Sequence, residues 1–321
     1  MSSNELYDLY KDAGQVPTEI LTNGILAVTC FSGITLNMLL VYVTFKSKSL
    51  HSTCNILIAF YAFSISFLLI GDSVPFFVFL FGINFISLHL CFYIQIIPFI
   101  FAAFAISLQL CIGIDRLVGI SFPIWYKMGG SGKLFKMFIT ICCAKTVFYD
   151  LFLYYYGCLN HWEKPVMCSI ADSARQPEIN SIATISNLII YSAEFICYVL
   201  MWLVNHFRNK NNEQFTETEN NKRLMISLGV IMSIGLICYI GTSLFFNFIM
   251  PLLGLNFLTI EYIVWPICNG LASMACSSCT PVLFLCSTDY RKAFCKYLCR
   301  TEHHVTVVVP LRIMPASNIR A

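Results

Sequence analysis

The sequence predicts an all-α membrane protein: a seven-transmembrane-helix bundle followed by a short amphipathic eighth helix. Three observations carry that prediction. Hydrophobic residues make up 58% of the chain and charged residues 12%, with a mean hydropathy of +0.73; a soluble domain carries roughly 25% charged residues. Apolar runs of about 20 residues or more, long enough to cross the hydrocarbon core as helices, occur seven times. Lys and Arg collect on alternate connections, as they do when one side of a bundle faces the cytoplasm.

The runs are Thr22–Phe45, Cys54–Phe81, Leu90–Ile114, Leu134–Tyr156, Ile179–Phe207, Leu224–Met250 and Leu258–Cys286. Several exceed the minimum, so tilt or projecting ends are expected. Residues 1–21 are polar and acidic and are read as an extracellular, flexible segment. No cleavable signal peptide is expected there, so the first span serves as the insertion signal. Residues 22–286 form the bundle, 287–300 a juxtamembrane helix and 301–321 a cytoplasmic tail. With the N-terminus outside, the inner segments hold 16 Lys and Arg and the outer ones three: Lys11, Lys164 and Arg175. That asymmetry assigns a multi-pass protein of the plasma membrane with its C-terminus in the cytoplasm. The net charge of +3 is an inner-face effect and does not point to nucleic acid.

After the seventh span, Tyr290, Ala293 or Phe294, and Tyr297 or Leu298 recur at helical spacing, with Arg291, Lys292 and Lys296 between them. Such a helix lies along the inner leaflet of the lipid bilayer. Cys295 and Cys299 beside it are palmitoylation candidates. Most of the 16 cysteines fall within spans, where a reduced Cys packs as a small hydrophobe. Cys91, Cys158 and Cys168 lie on the outer, oxidising side. Cys276 and Cys279 sit inside a span, so no zinc site is read from them. No Asn-x-Ser/Thr sequon is present.

The densest local signal is Asp115-Arg116 at the end of the third run, with Pro123 seven residues after Arg116 and Tyr126 three beyond that. Cys91 precedes Arg116 by 25 residues, about the length of one tilted span. Taken alone, an Asp-Arg pair is a solvated helix end. The whole spacing resembles the third helix and second inner loop of rhodopsin-like (class A) G-protein-coupled receptors. Further matches fall in order. They are Gly33 and Asn37 in the first span, Asn55 and Ala62 in the second, Cys238-Tyr239-Ile240-Gly241 against Cys-Trp-x-Pro in the sixth, and Thr280-Pro281-Val282-Leu283-Phe284 against Asn-Pro-x-x-Tyr in the seventh. Departures are as informative. Ile65, ten residues after Asn55, replaces the usual Asp and puts the family's sodium site in doubt. The fourth span lacks its Trp, the fifth its Pro, and Leu117 follows Asp115-Arg116 in place of Tyr. The seventh span has no Lys, which excludes a retinal Schiff base. Pro98 stands eighteen residues before Arg116, where amine receptors carry an Asp, and this argues against a biogenic amine ligand. Together these features resemble the nematode serpentine chemoreceptors, nearest the class SX group.

The resemblance implies that Asp115 holds Arg116 at rest, and that Arg116 is released when the sixth helix swings outward to admit a heterotrimeric G protein. Pro123, Tyr126, Tyr198, Tyr239, Pro281 and Phe284 complete the coupling set: Tyr198 as the inward tyrosine of the fifth span, Tyr239 as a pivot or a packed aromatic, Pro281 as a kink. It also implies a bridge from Cys91 to the loop after the fourth span. Cys168, in mid-loop, is favoured over Cys158 at the helix end, and both stay open.

Ligand-pocket candidates come from the outer halves of the spans: Asp72, Ser73, Gln95, Pro98, Phe99, Ala102, Phe245, Phe246, Tyr262, Trp265 and Asn269. Their mostly apolar character suits a small organic ligand. Asp72 stands out because a carboxylate within a span is costly. Lys145, Asp150 and Glu194 are also intramembrane; five residues separate Lys145 from Asp150, so the two are expected on different faces. The reading is a chemoreceptor without cofactor, metal or catalytic set. The alternative is a neuropeptide-type receptor, favoured by the acidic outer loops. A transporter or channel lacks the internal repeat that many transporters have.

Overall fold

A computed structural model describes residues 7–8, 10–172, 176–210 and 264–298, with scattered positions between 229 and 252. The first three spans are single helices: α1 (Pro17–Lys46), α2 (Thr53–Leu80) and α3 (Leu88–Ser121). The fourth is broken into α4 (Ser131–Lys145), a π-helical turn at Thr146–Asp150, and α5 (Leu151–Leu159). The fifth is α6 (Pro177–Lys210), and the seventh is split into α7 (Trp265–Ser277) and α8 (Cys279–Cys286). A last helix, α9 (Thr288–Leu298), follows. Among the described residues five helical stretches are long and apolar enough to cross a membrane, or six if the bent α7–α8 pair is one span. The sixth run, Leu224–Met250, lies mostly outside the described residues.

Local chemistry sets the helix ends. Pro17 opens α1 at a position where its missing N–H is no loss. Ser52 and Ser87 cap α2 and α3, their hydroxyls accepting from the N–H groups of Asn55 and Leu90. α1 begins five residues before the apolar run does. α3 continues past Ile114 to Ser121, so Asp115 and Arg116 lie within the helix and not at its end. Between α7 and α8 the axis bends by 42° at Ser278, three residues before Pro281, where the proline cannot bond back to the preceding turn.

The largest buried cluster lies in the inner half and joins Leu40, Val43, Leu57, Leu108, Phe138, Leu283 and Tyr290. The first and seventh spans are laced by polar contacts. Asn37 Nδ2 donates to the Cys276 carbonyl at 3.3 Å and Thr280 Oγ1 to the Leu36 carbonyl at 2.8 Å. A Cβ at Gly33 would collide with Ser277, so the close approach there requires glycine. Leu21, Ile25 and Val28, spaced along one face of α1, are exposed and meet acyl chains. Tyr290, Ala293 and Phe294 bury one face of α9, and Tyr297 donates to the Lys46 carbonyl at 3.1 Å, which docks α9 beneath α1.

Two expectations are corrected. Lys145 and Asp150 do meet, at 2.7 Å. The π turn between them holds more residues per turn than an α-helix, so residues five apart share a face. The described part of the N-terminal segment is not loose either. Asn84 donates to the carbonyls of Tyr10 and Gly14, both at 2.8 Å, and Gln15 to that of Leu80 at 3.0 Å. Asn84 takes a left-handed φ of 60° to do so, a conformation Asn tolerates better than most residues.

Candidate functional site: an inner Asp-Arg-Tyr cluster and an outer cavity

Asp115 and Arg116 project near the inner end of α3. The Asp115 side chain is fully buried and that of Arg116 is 17% exposed. Arg116 donates to Asp115 Oδ2 from Nη2 at 2.8 Å and from Nε at 3.2 Å. The Tyr126 hydroxyl lies 2.9 Å from both carboxylate oxygens and donates to them. A buried carboxylate is costly unless paired and fully hydrogen-bonded; three donors from two residues meet that need. The chain delivers Tyr126 by a short reversal. α3 ends at Ser121, Phe122 leaves helical geometry, and Pro123 opens one new turn, Pro123–Trp125. The Tyr126 ring then lies over Gly119, 3.8 Å from where a Cβ would stand.

The remaining members of the coupling set are dispersed. Tyr198 of α6 lies near Gly113, and its buried hydroxyl has no hydrogen-bond partner among the described residues. Pro281 sits in the first turn of α8. Phe284 packs edge-on against Phe294 of α9, with ring centroids 5.9 Å apart. Tyr239 lies outside the described residues. Midway along α3, Gln109 Nε2 donates to Glu194 Oε1 of α6 at 2.8 Å, with both side chains buried. The sequence marks Glu194 as an intramembrane charge; its partner Gln109 was missed, and a Gln in mid-span was the available signal.

At the outer end, the two-residue strands β1 (Ile86–Ser87) and β2 (Pro165–Val166) pair antiparallel. The loop is extended along the start of α3 by bonds from Leu88 N to the Lys164 carbonyl and from His89 N to that of Trp162. This pairing sets Cys168 beside Cys91, and the two form a disulfide with Cα atoms 5.2 Å apart. Cys158 is buried elsewhere, against Leu88, Phe92 and Tyr154.

A cavity of about 190 Å³ opens under this loop. Its walls are Glu19, Thr22, Asn23 and Leu26 of α1; Asp72, Pro75 and Phe79 of α2; Met167 and Ser169 to Asp172 of the loop; and Asn269 of α7. Of the pocket residues read from sequence, Asp72 and Asn269 line it. The others that can be followed are spent on structure. Gln95 is buried and donates to the carbonyls of Gly71 at 3.0 Å and Cys168 at 2.8 Å. Pro98 closes on Gly71, and Phe99 stacks on Tyr154 at 3.9 Å. Ser73 bonds its own helix at Ile70. Ala102 is half-buried in α3 and Phe245 half-buried in its span. Phe246, Tyr262 and the Trp265 side chain lie outside the described residues. The α1 wall was missed, although Glu19 and Asn23, one turn apart at the mouth of a span, were a usable signal; Asn23 Nδ2 bonds Glu19 Oε2 at 3.0 Å.

No curated protein matches this chain. The family model for the serpentine type 7TM GPCR chemoreceptor Srsx matches residues 30–298, from mid-α1 to the end of α9. The chain therefore belongs to the serpentine Srsx family of seven-transmembrane G-protein-coupled-receptor chemoreceptors, and it is a multi-pass membrane receptor, not an enzyme.

Proposed function

We propose that this receptor binds a small organic ligand in the outer half of its bundle and activates a heterotrimeric G protein at its inner face. The observation that carries the coupling half is the Asp115-Arg116-Tyr126 cluster. Arg116 is the one charged member with solvent access, so it can change partner while Asp115 stays buried. A ligand shifts such a two-state element by binding one state better than the other. The N-terminus is placed outside and the C-terminus in the cytoplasm of the plasma membrane by the distribution of Lys and Arg. Residues 22–286 form the signalling bundle, with 287–300 as its juxtamembrane helix and 301–321 as the tail.

The cavity supports a small ligand over a peptide. Its volume of about 190 Å³ is below the roughly 300–1,000 Å³ of pockets for drug-sized molecules. Two of the acids that favoured a basic peptide are already engaged: Asp172 accepts from Ser169 N at 2.8 Å, and Glu178 faces His161 at 3.2 Å. Cells expressing the chain with a promiscuous G protein should respond to members of a panel of volatile and small polar organics. Responses confined to basic peptides would overturn the small-ligand half. Ligand-evoked ion flux that persists without any G protein would overturn the coupling half.

A further inference from the structure

We propose that the outer cavity recognises a small aliphatic ammonium ion, with the Asp72 carboxylate as its counter-ion. This deepens the proposed function by naming the ligand class of the same cavity. Asp72 lies eight residues before the outer end of α2, about 12 Å below it, on the wall of the cavity. A carboxylate at that depth is unfavourable unless it meets an opposite charge or water, yet Asp72 makes no hydrogen bond or ion pair among the described residues. The other two carboxylates of the wall are both hydrogen-bonded, Glu19 by Asn23 and Asp172 by Ser169 N. Three acids from three elements face the cavity, and among the described residues its lining contains no Lys, Arg or His. A low-dielectric recess with one sign of charge concentrates the opposite ion.

The lining also says which cation. Among the described residues no group of three or more acidic, Cys or His side chains converges to hold a metal ion, so the acids are spread as they would be around an organic ion. Leu26, Phe79 and Met167 supply apolar walls for an alkyl group, and Asn269 and Ser169 add polar ones. A volume of about 190 Å³ suits a small cation. Pro98 leaves the third helix without a counter-ion at that position; here the second helix provides one.

The test uses purified full-length receptor in lipid nanodiscs, with isobutylammonium, isobutanol and isobutyrate as probes and thermal stability as the readout, so that no G protein is needed. Isobutylammonium is expected to raise the melting temperature saturably, and the alcohol and the acid to leave it unchanged. Asp72→Asn should weaken the ammonium effect at least tenfold. Asp72→Glu, which keeps the charge, should retain most of it, and Asp12→Asn, an exposed acid outside the cavity, all of it. Equal stabilisation by isobutanol, no stabilisation by isobutylammonium, or undiminished binding by Asp72→Asn would each overturn the proposal. If Asp72→Asn does not fold, the selectivity of the unmodified receptor among the three probes decides. An ammonium that binds through Asp72 but evokes no nucleotide exchange would leave this inference standing and count against the coupling half of the proposed function.

Discussion

Arg116→Ala is expected to reach the cell surface and bind ligand while losing nearly all stimulated nucleotide exchange. The Arg116 side chain lies at the inner mouth, partly exposed, and holds Asp115 through two N–H groups. Released, that planar fork can donate to backbone carbonyls of an incoming helix. A lysine cannot reproduce this geometry, so Arg116→Lys should fail as well. Asp115→Asn should act in the opposite sense. The side chain stays in place and still accepts from Tyr126, but the ionic hold on Arg116 is gone, and ligand-independent exchange should rise. Coupling free energies of this kind correspond to about 5- to 150-fold, so a basal increase of tenfold is a reasonable size. Tyr126→Phe removes a neutral donor only and should raise basal exchange less. Nucleotide exchange at matched surface expression is the measurement, and full activity of Arg116→Ala would remove the coupling mechanism. If positive charge alone mattered, Arg116→Lys would signal normally.

Cys91→Ser and Cys168→Ser should each lose most surface expression. Removing a native disulfide typically costs about 2–5 kcal/mol, a large part of the 5–15 kcal/mol that holds a typical fold. Here the bond spans 77 residues and tethers the loop that carries Met167 to Asp172 over the cavity. Cys168 has a left-handed φ of 64°, which costs a non-glycine residue about 1–3 kcal/mol. The disulfide and the Gln95 bond to its carbonyl are what keep it there. Cys158 lies outside the bridge, so Cys158→Ser should be milder. Surface against total receptor, measured by labelling an N-terminal tag on intact cells, separates the three variants. Non-reduced peptide mapping that joins Cys91 to Cys158 would overturn the pairing.

What the sequence makes legible is local and periodic. The apolar runs are read from composition, and the 25 residues from Cys91 to Arg116 are about one span long, so the third span is found by counting, although α3 runs past both, from Leu88 to Ser121. Asp115, Arg116 and Tyr126 are near neighbours in the chain, and the structure brings them together. The outer cavity is different because α1, α2, α7 and a loop build it, and no spacing within one helix reveals which residues of another it faces. Gln95 is a polar residue in an outer half-span and reads as a ligand contact; only the positions of the Gly71 and Cys168 carbonyls show that its amide is already used. Phe99 is likewise an open aromatic in sequence and a partner of Tyr154 in space. The Lys145–Asp150 pair escaped for a backbone reason, since counting residues assumes α-helical pitch and a π turn breaks that assumption.

That same turn lets the fourth span differ by one residue in length without moving where the outer loop lands. Phe138, Cys142, Thr146, Asp150, Tyr154 and Cys158 are all buried, a repeat of four that would drift around an ideal helix with 3.6 residues per turn. The wide turn at Thr146–Asp150 takes back part of the drift. Deleting one residue from it would replace a turn closed by i→i+5 bonds with one closed by i→i+4 bonds, so the helix beyond would keep nearly its present facing. Tyr154 would stay against Phe92 and Phe99, and the root of the loop would stay with it. A single residue can therefore be gained or lost there while the lid of the pocket keeps its aim.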